Sequence, residues 1–337
     1  MTSPRPLIAF DQSACGAGRS HADALRDTLE LARQCEAQGY HRFWVSEHHN
    51  NGAIVGSAPE VMLGALSVLT TRMRIGAAGI LLPFYAPFKV AEQFRVLEAL
   101  APGRVDLGLG RSPGGDPQIF SVLNPHGSSA REGFEAKVRE LLRWLEDGGE
   151  VADDGHRLHA LPRNPGSALP WMLVTSVDGA RTAGALGLPM CFNYSADQSR
   201  GIEQQAFDAY RVAFVPGTYL QRAYTALMFF ALAADTAEQA RYLFSSRALW
   251  RVRLDRGVRA AIEAPEIAHA HPELAGREAR IAQQMEINLV GRADEVAARI
   301  QDVAGRVAAD EIGVTNWAYH LKDRVRSHRL LAQALRA

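Results

Sequence analysis

The chain has 337 residues, 47% of them hydrophobic and 22% charged, and its 37 Lys plus Arg balance 37 Asp plus Glu. A chain of this size and composition buries a large core without a disulfide or metal staple. Its zero charge balance offers no electrostatic footprint for nucleic acid or an anionic membrane.

Cys15, Cys35 and Cys191 are widely spaced, and no CxxC or CxxH pairing exists. That pattern argues against a structural zinc site and fits free thiols in a reducing cytosol. The stretch from Met1 to Phe10 lacks the long apolar region of a signal peptide, and no 18-residue apolar run appears. A cytoplasmic protein with no transmembrane helix is therefore expected.

Strand and helix signals alternate. Leu7 to Phe10 reads as a buried strand. A helix follows from about His21 to Gln38, with Leu25, Thr28, Leu29, Ala32 and Cys35 on one face and Gly39 as its C′ glycine. Arg42 to Ser46 is the second strand. Pro59 to Leu69 is the second helix, with Ser57 as a candidate cap. Met73 to Leu82 is the third strand, Pro87 to Leu100 the third helix and Arg104 to Gly108 the fourth strand.

These β-α pairs imply a parallel sheet with crossover helices. Further on, Arg131 to Leu145 is helical, Trp171 to Val174 a strand, Asp178 to Leu186 a helix and Pro189 to Asn193 a strand. Ala226 to Ala231 is a strand, Thr236 to Leu254 a helix, and Glu311 to Trp317 a last strand before a C-terminal helix. The competing doubly wound sheet wants G-x-G-x-x-G after the first strand, and DQSACGAGRS after Phe10 does not supply it. The expected fold is one α/β domain over 1–337, a TIM (β/α)8 barrel with an insertion near its C-terminal half. Residues 256–284, rich in Ala, Arg, Glu and His, are expected to be helical or a mobile lid over the barrel mouth.

Active sites of such barrels lie at the C-terminal ends of the strands. The second strand ends in Ser46-Glu47-His48-His49-Asn50. Strand alternation puts neighbours on opposite sides, so His48 and His49 do not share one role. H-E-x-x-H on a helix would suggest metal, but this is E-H-H at a strand end. Either His also suits a structural role, bonded to backbone carbonyls. Gly76-Ala77-Ala78-Gly79 on the third strand fits either a flat ring stacked on the backbone or tight barrel packing. The fourth strand runs into Gly110-Arg111-Ser112-Pro113, where an arginine fork suits phosphate oxygens. Thr175-Ser176-Val177-Asp178-Gly179 opens a helix and reads as an anion site or as a helix cap. Arg111 and Ser176 together suggest one phosphate held between two strand ends.

FWVSEHHN, then GRVDLGLGR, then PWMLVTSVDGARTAGALGLPMCFNYS resemble the luciferase-like flavin monooxygenase family. The likeness returns at INLVGRADEVAARI and in the C-terminal helix, and covers nearly the whole chain except about 195–284. It implies reduced FMN bound at the strand ends, its ring against a non-prolyl cis peptide at Ala78–Gly79. Its phosphate would lie on Arg111 and the turn around Thr175 and Ser176, with Pro113 and Gly179 also in the cofactor site. His48 matches the family's catalytic histidine, with Glu47 fixing its tautomer or the strand end. Tyr194 stands where the luciferase flavin pocket has a Trp, Thr175 where luciferase α subunits have a Glu, and Gly179 where many relatives have a second Ser.

The implied chemistry is monooxygenation with O2 through a flavin C4a-hydroperoxide, the FMNH2 coming from a separate NAD(P)H:flavin reductase. The partners implied are a small organic substrate and a second copy in a homodimer, commonly through the second and third helices. Relatives that use deazaflavin F420 for hydride transfer, and catalytically silent flavin-binding proteins, are the alternatives.

Overall fold

The computed structural model describes residues 4–111, 117–125, 133–146, 150–151, 155–163, 166–196 and 199–337. Eight parallel strands close into a barrel: β1 Leu7–Asp11, β2 Arg42–Val45, β3 Arg74–Leu81, β4 Val105–Gly110, β5 Leu169–Val174, β6 Met190–Asn193, β7 Thr225–Phe230 and β8 Glu311–Thr315. Each strand pairs with its neighbours in chain order, and β8 closes on β1 through Leu7↔Ile312 to Ala9↔Val314. The fold is the (β/α)8 barrel expected from the alternation.

Strand alternation sorts the side chains. One face of each strand packs on the helical shell, where Phe43, Val45, Ile75, Leu107, Phe229 and Val314 join the main core. The other fills the barrel, where Ile8, Trp44, Trp171, Cys191, Ala226 and Met228 form a separate cluster. Below that cluster, at the N-terminal end, Arg42 on β2 bonds Asp106 on β4 and Glu311 on β8, each at 2.8 Å. Arg74, the Trp44 indole N–H and the Tyr224 hydroxyl complete this buried network. Burial works against the charge on Asp106, but Arg42 and Arg74 hold its carboxyl below the usual range. The acidic residue of GRVDLGLGR therefore holds the barrel floor, far from the strand ends where chemistry is expected.

Helix His21–Ala37 starts on a capping box: the Ser20 hydroxyl accepts from the Asp23 N–H, and the Asp23 carboxylate accepts from the Ser20 N–H. Its buried face is rotated from the expected one. Ala24, Asp27, Leu31 and Ala32 face inward beside Thr28 and Cys35, while Leu25 and Leu29 are half-buried. Polar partners make this turn of the face affordable: Thr28 donates to Asp11 at 2.7 Å, and Asp27 accepts from Arg324 at 2.8 Å. Ser57 does not cap helix Pro59–Leu69, whose N-cap is Ala58 without a side-chain bond.

Elements not located from the sequence include helices Pro117–Leu123, Glu203–Ala213 after β6 and Ala293–Arg306, and strand Val290–Arg292, which pairs in parallel with Leu232–Ala234. That last pair, with helix Ala237–Leu254, builds a second core around Phe230, Leu249, Trp250, Val290 and Trp317. The segment 256–284 contains helix Pro265–Ala268, a 3₁₀ turn Pro272–Leu274 and most of helix Glu278–Ile287. It is tied to the loop after β1 by backbone bonds, Ala17 N–H to Ile262 O at 2.7 Å and Ile262 N–H to Cys15 O at 3.1 Å.

Candidate active site at the barrel mouth

The strand ends divide the E-H-H run into two arrangements. Ser46 and His48 lie on one side of the chain, and the His48 Nδ1 is 3.0 Å from the Ser46 hydroxyl. Glu47 and His49 lie on the other, with His49 Nε2 2.8 Å from Glu47 Oε1. Glu47 is buried and also accepts from the Leu81 N–H and the Tyr85 hydroxyl, both at 2.7 Å. It therefore fixes the end of β3 and the start of the next loop. The expectation that Glu47 sets the His48 tautomer is corrected: that nitrogen is bonded to Ser46, and Glu47 is turned away from it by strand alternation.

His48 keeps some accessible surface, yet its ring lies deep among protein atoms. Burial, helped by His49, lowers its pKa to about 4. Its imidazole is neutral at pH 7. Its backbone N–H bonds Gly56 O at 2.8 Å, so the loop 49–55 closes back on the strand end.

The small residues of β3 separate into two uses. A Cβ on Gly76 would lie 2.6 Å from the Asp106 Cβ and 2.8 Å from Trp44, and one on Gly79 would lie 2.6 Å from Gly108 O. Those glycines are required by packing inside the barrel. The Ala78–Gly79 peptide is cis, at the bond named by the family resemblance, and the register to β4 shifts between Ala77 and Ile80. Ala78 joins the interior cluster but stays partly exposed, as do Phe10 on β1 and Leu173 on β5. These three form an apolar floor to the mouth.

Across the floor, the Thr315 Oγ1 and Asn316 Nδ2 at the end of β8 are buried without a hydrogen-bond partner among the described residues. Unpartnered buried polar atoms carry a cost, and a ligand with polar edges removes it.

Arg111 follows β4 and is half-buried. The register Leu109↔Met172 continues to place it level with Val174, beside Thr175 and Ser176. The Ser176 hydroxyl accepts from the Gly179 N–H at 3.2 Å, so it caps helix Val177–Ala185. A Cβ on Gly179 would meet the Ser176 Oγ and the Val174 side chain at 3.3 Å, which leaves little room for a larger residue there. Pro113 lies outside the described residues.

Tyr194 is set apart from the others. Its ring packs on Phe229, 5.1 Å between centroids, in the layer between barrel and helices. The next residue, Ser195, faces the mouth instead, and its hydroxyl accepts from the Phe230 N–H at 2.6 Å. Ser46, Tyr85, Thr315, Asn316 and Ser195 were not singled out from the sequence. Only Ser46 had a readable signal, since it is two residues from His48 on one strand face.

A family model described as luciferase-like monooxygenase matches residues 7–310. The N-acetyl-S-alkylcysteine monooxygenase of Bacillus subtilis (strain 168) is 34% identical over 334 residues, covering 98% of each chain. Among solved structures, apo-MsnO8 is 31% identical with a TM-score of 0.89 and covers 98% of both chains. The oxygenating constituent of 3,6-diketocamphane monooxygenase from a plasmid of Pseudomonas putida, in complex with FMN, has a TM-score of 0.72 at 18% identity, covering 99% of this chain and 98% of that one. That last likeness is one of fold.

Proposed function

The chain belongs to the luciferase-like monooxygenase family, an oxidoreductase family that uses flavins, and from that membership we propose that it puts one atom of O2 into a small organic substrate using reduced FMN. In this reading a separate NAD(P)H-dependent reductase supplies the reduced flavin. The observation that carries it is the mouth itself: a neutral, half-buried His48 beside an apolar floor of Phe10, Ala78 and Leu173, with Arg111 and Ser176 at adjacent strand ends.

The residues present fit a flavin. The floor at Ala78, where the side chain is a single methyl, would take the face of its ring. Thr315 and Asn316, whose unpartnered atoms offer a hydroxyl and an amide, would bond its polar atoms. Arg111, the Thr175 hydroxyl and backbone N–H groups at the start of helix Val177–Ala185 would hold the phosphate. When bound, the reduced flavin supplies the electrons that activate O2.

The chain's own part is positioning and proton handling. With the Nδ1–H of His48 donating to Ser46, its Nε2 carries the lone pair and takes or returns a proton at the reacting edge. The low pKa keeps that nitrogen unprotonated at neutral pH. Glu47 holds Leu81 and Tyr85, and so fixes the end of the strand that carries Ala78. The apolar floor would keep water from the reacting edge, and the segment beyond β7 is tied through Ile262 to the loop after β1.

The same reading makes a homodimer, with helices Pro59–Leu69 and Pro87–Leu100 as its face. They expose Val61, Val68, Val96 and Leu100. A cytoplasmic location is supported by three buried free cysteines, Cys15, Cys35 and Cys191. Among the described residues no helix is long and apolar enough to cross a membrane.

The test is isotopic. The protein is supplied with FMN, NADPH, a flavin reductase and ¹⁸O2, and incubated with a panel of thioethers, ketones, aldehydes and aromatic substrates. A product carrying one ¹⁸O, formed only with the protein present, supports the reading. Products that form without O2, or carry no label, contradict it.

A further inference from the structure

Beside the mouth, on the side of β6, β7 and β8, lies a second cavity of about 290 Å³. It is lined by Ser195, Arg200, Arg247, Arg251, Arg280 and Gln284, and no carboxylate lines it among the described residues. Its size is at the lower end of that of small-molecule sites.

Ile287 and Asn288 complete the lining, and donors dominate its polar part. The Gln284 side chain is 5% exposed, and its Nε2 has no hydrogen-bond partner among the described residues. The Ser195 oxygen already accepts from the Phe230 N–H, which leaves its proton to donate. Arg247 lies flat, with its guanidinium carbon 3.8 Å from the Phe230 ring centroid and 4.3 Å from that of Trp317. Phe230 ends β7 and Trp317 follows β8, so this arginine is anchored on the rim of the mouth itself. Arg251 and Arg280 share one carboxylate, Asp255, at 2.8 Å and 3.2 Å. A guanidinium has five donor hydrogens in a fixed fork, and Arg280 uses two of them, on Asp255 and on Gln283.

Donors converging on a partly enclosed cavity call for an acceptor-only ligand. Resting on the monooxygenase reading, we infer that this cavity is the anchor for a carboxylate on the organic substrate, which then reaches across the mouth toward His48. A hydrocarbon leaves the buried Gln284 amide unsatisfied, and an aldehyde or alcohol oxygen accepts from it without answering the arginine charge, whereas a carboxylate does both. Helix Glu278–Ile287 supplies Arg280 and Gln284, so the segment after β7 acts here in substrate recognition.

The test is calorimetric titration of the flavin-free protein with a matched pair, 4-phenylbutyrate and 4-phenyl-1-butanol. The wild type is expected to bind the carboxylate at least about tenfold more tightly, the scale of a charge-assisted bond. The double variant Arg251→Gln/Arg280→Gln is expected to lose that preference and to keep its affinity for the alcohol and for reduced FMN within about twofold. If the double variant does not fold, Arg280→Gln alone serves, since this side chain is 43% exposed. Equal affinity for the pair in the wild type, or a preference that survives the substitutions, overturns the inference. A loss of reduced-FMN affinity with carboxylate binding unchanged also overturns it and assigns the arginines to the cofactor. A wild type that binds the carboxylate but no reduced flavin leaves the subsite standing and removes the monooxygenase reading.

Discussion

Glu47 and His49 are bonded to each other across 2.8 Å, while the histidine between them in sequence is turned away to Ser46. The acid of the E-H-H run is thus a structural anchor, and its other contacts are the Leu81 N–H and the Tyr85 hydroxyl. Glu47→Gln puts an amide N–H against one of these donors. The variant is expected to lose about 1–3 kcal/mol of stability, the cost of an unsatisfied buried group. Urea denaturation reads this directly, and a variant as stable as the parent contradicts the anchoring role.

His48→Ala is expected to lower substrate turnover by about 100-fold or more, the low end for a positioned acid–base group, with reduced-FMN affinity within about twofold. The pH profile supplies a second reading. The His48 pKa is lowered from 6.5 to about 4 by burial and by His49, so the ring stays neutral well below pH 6. Loss of activity through its protonation is expected only as pH falls toward 4. A limb near pH 6.5 that disappears in His48→Ala would show an ordinary, solvated imidazole. Turnover that survives His48→Ala with flavin binding intact would remove the histidine from the mechanism.

Arg111→Ala separates phosphate recognition from ring recognition. A charge-assisted bond contributes about 1.5–3 kcal/mol, or about 10- to 150-fold in affinity. Reduced FMN is expected to bind that much more weakly to the variant, and reduced riboflavin, which lacks the phosphate, to bind as it does to the parent. Equal losses for both ligands would mean that Arg111 acts on the ring or on the fold.

Much of the barrel was legible because its elements carry local signals. Pro59 and Pro87 open their helices, and Gly39, at φ +78°, closes the first where no Cβ is tolerated cheaply. Helix Glu203–Ala213 was missed: its N-cap Ile202 makes no side-chain bond, so it has no start signal. Strand Val290–Arg292 is three residues long and exists through its pairing with Leu232–Ala234, a long-range fact. At the site, E-H-H and Gly110-Arg111 stood out because charged groups at barrel strand ends are conspicuous. Of the two roles read for Glu47, the His48 tautomer or the strand end, its bonds to Leu81 and Tyr85 fit the second, because Ser46 and not Glu47 shares the strand face of His48. The arginine cavity draws Arg200 from a turn and Arg247 and Arg280 from two separate helices, and no spacing in the sequence announces it.

A second buried histidine makes stability depend on pH. His328 is 1% exposed, its Nδ1 3.1 Å from the Tyr40 hydroxyl, and burial lowers its pKa to about 4. An unfolded chain has this group near 6.5, so between those values the unfolded state binds more protons. Stability present above pH 6.5 is therefore lost as pH falls toward 4, by on the order of 3 kcal/mol for this group. Urea midpoints at pH 7 and pH 5 are expected to differ, and His328→Gln to flatten the difference. An unchanged slope in the variant would place the pH dependence elsewhere.

The mouth is expected to bind reduced FMN. This is tested most directly by anaerobic fluorescence titration of the purified protein with reduced FMN and with reduced F420. Saturable binding of reduced FMN, tighter than that of reduced F420 and weakened by Arg111→Ala, is the predicted result. Preferential binding of reduced F420, with turnover independent of O2, would contradict the account and make the protein a hydride-transfer enzyme on the same barrel.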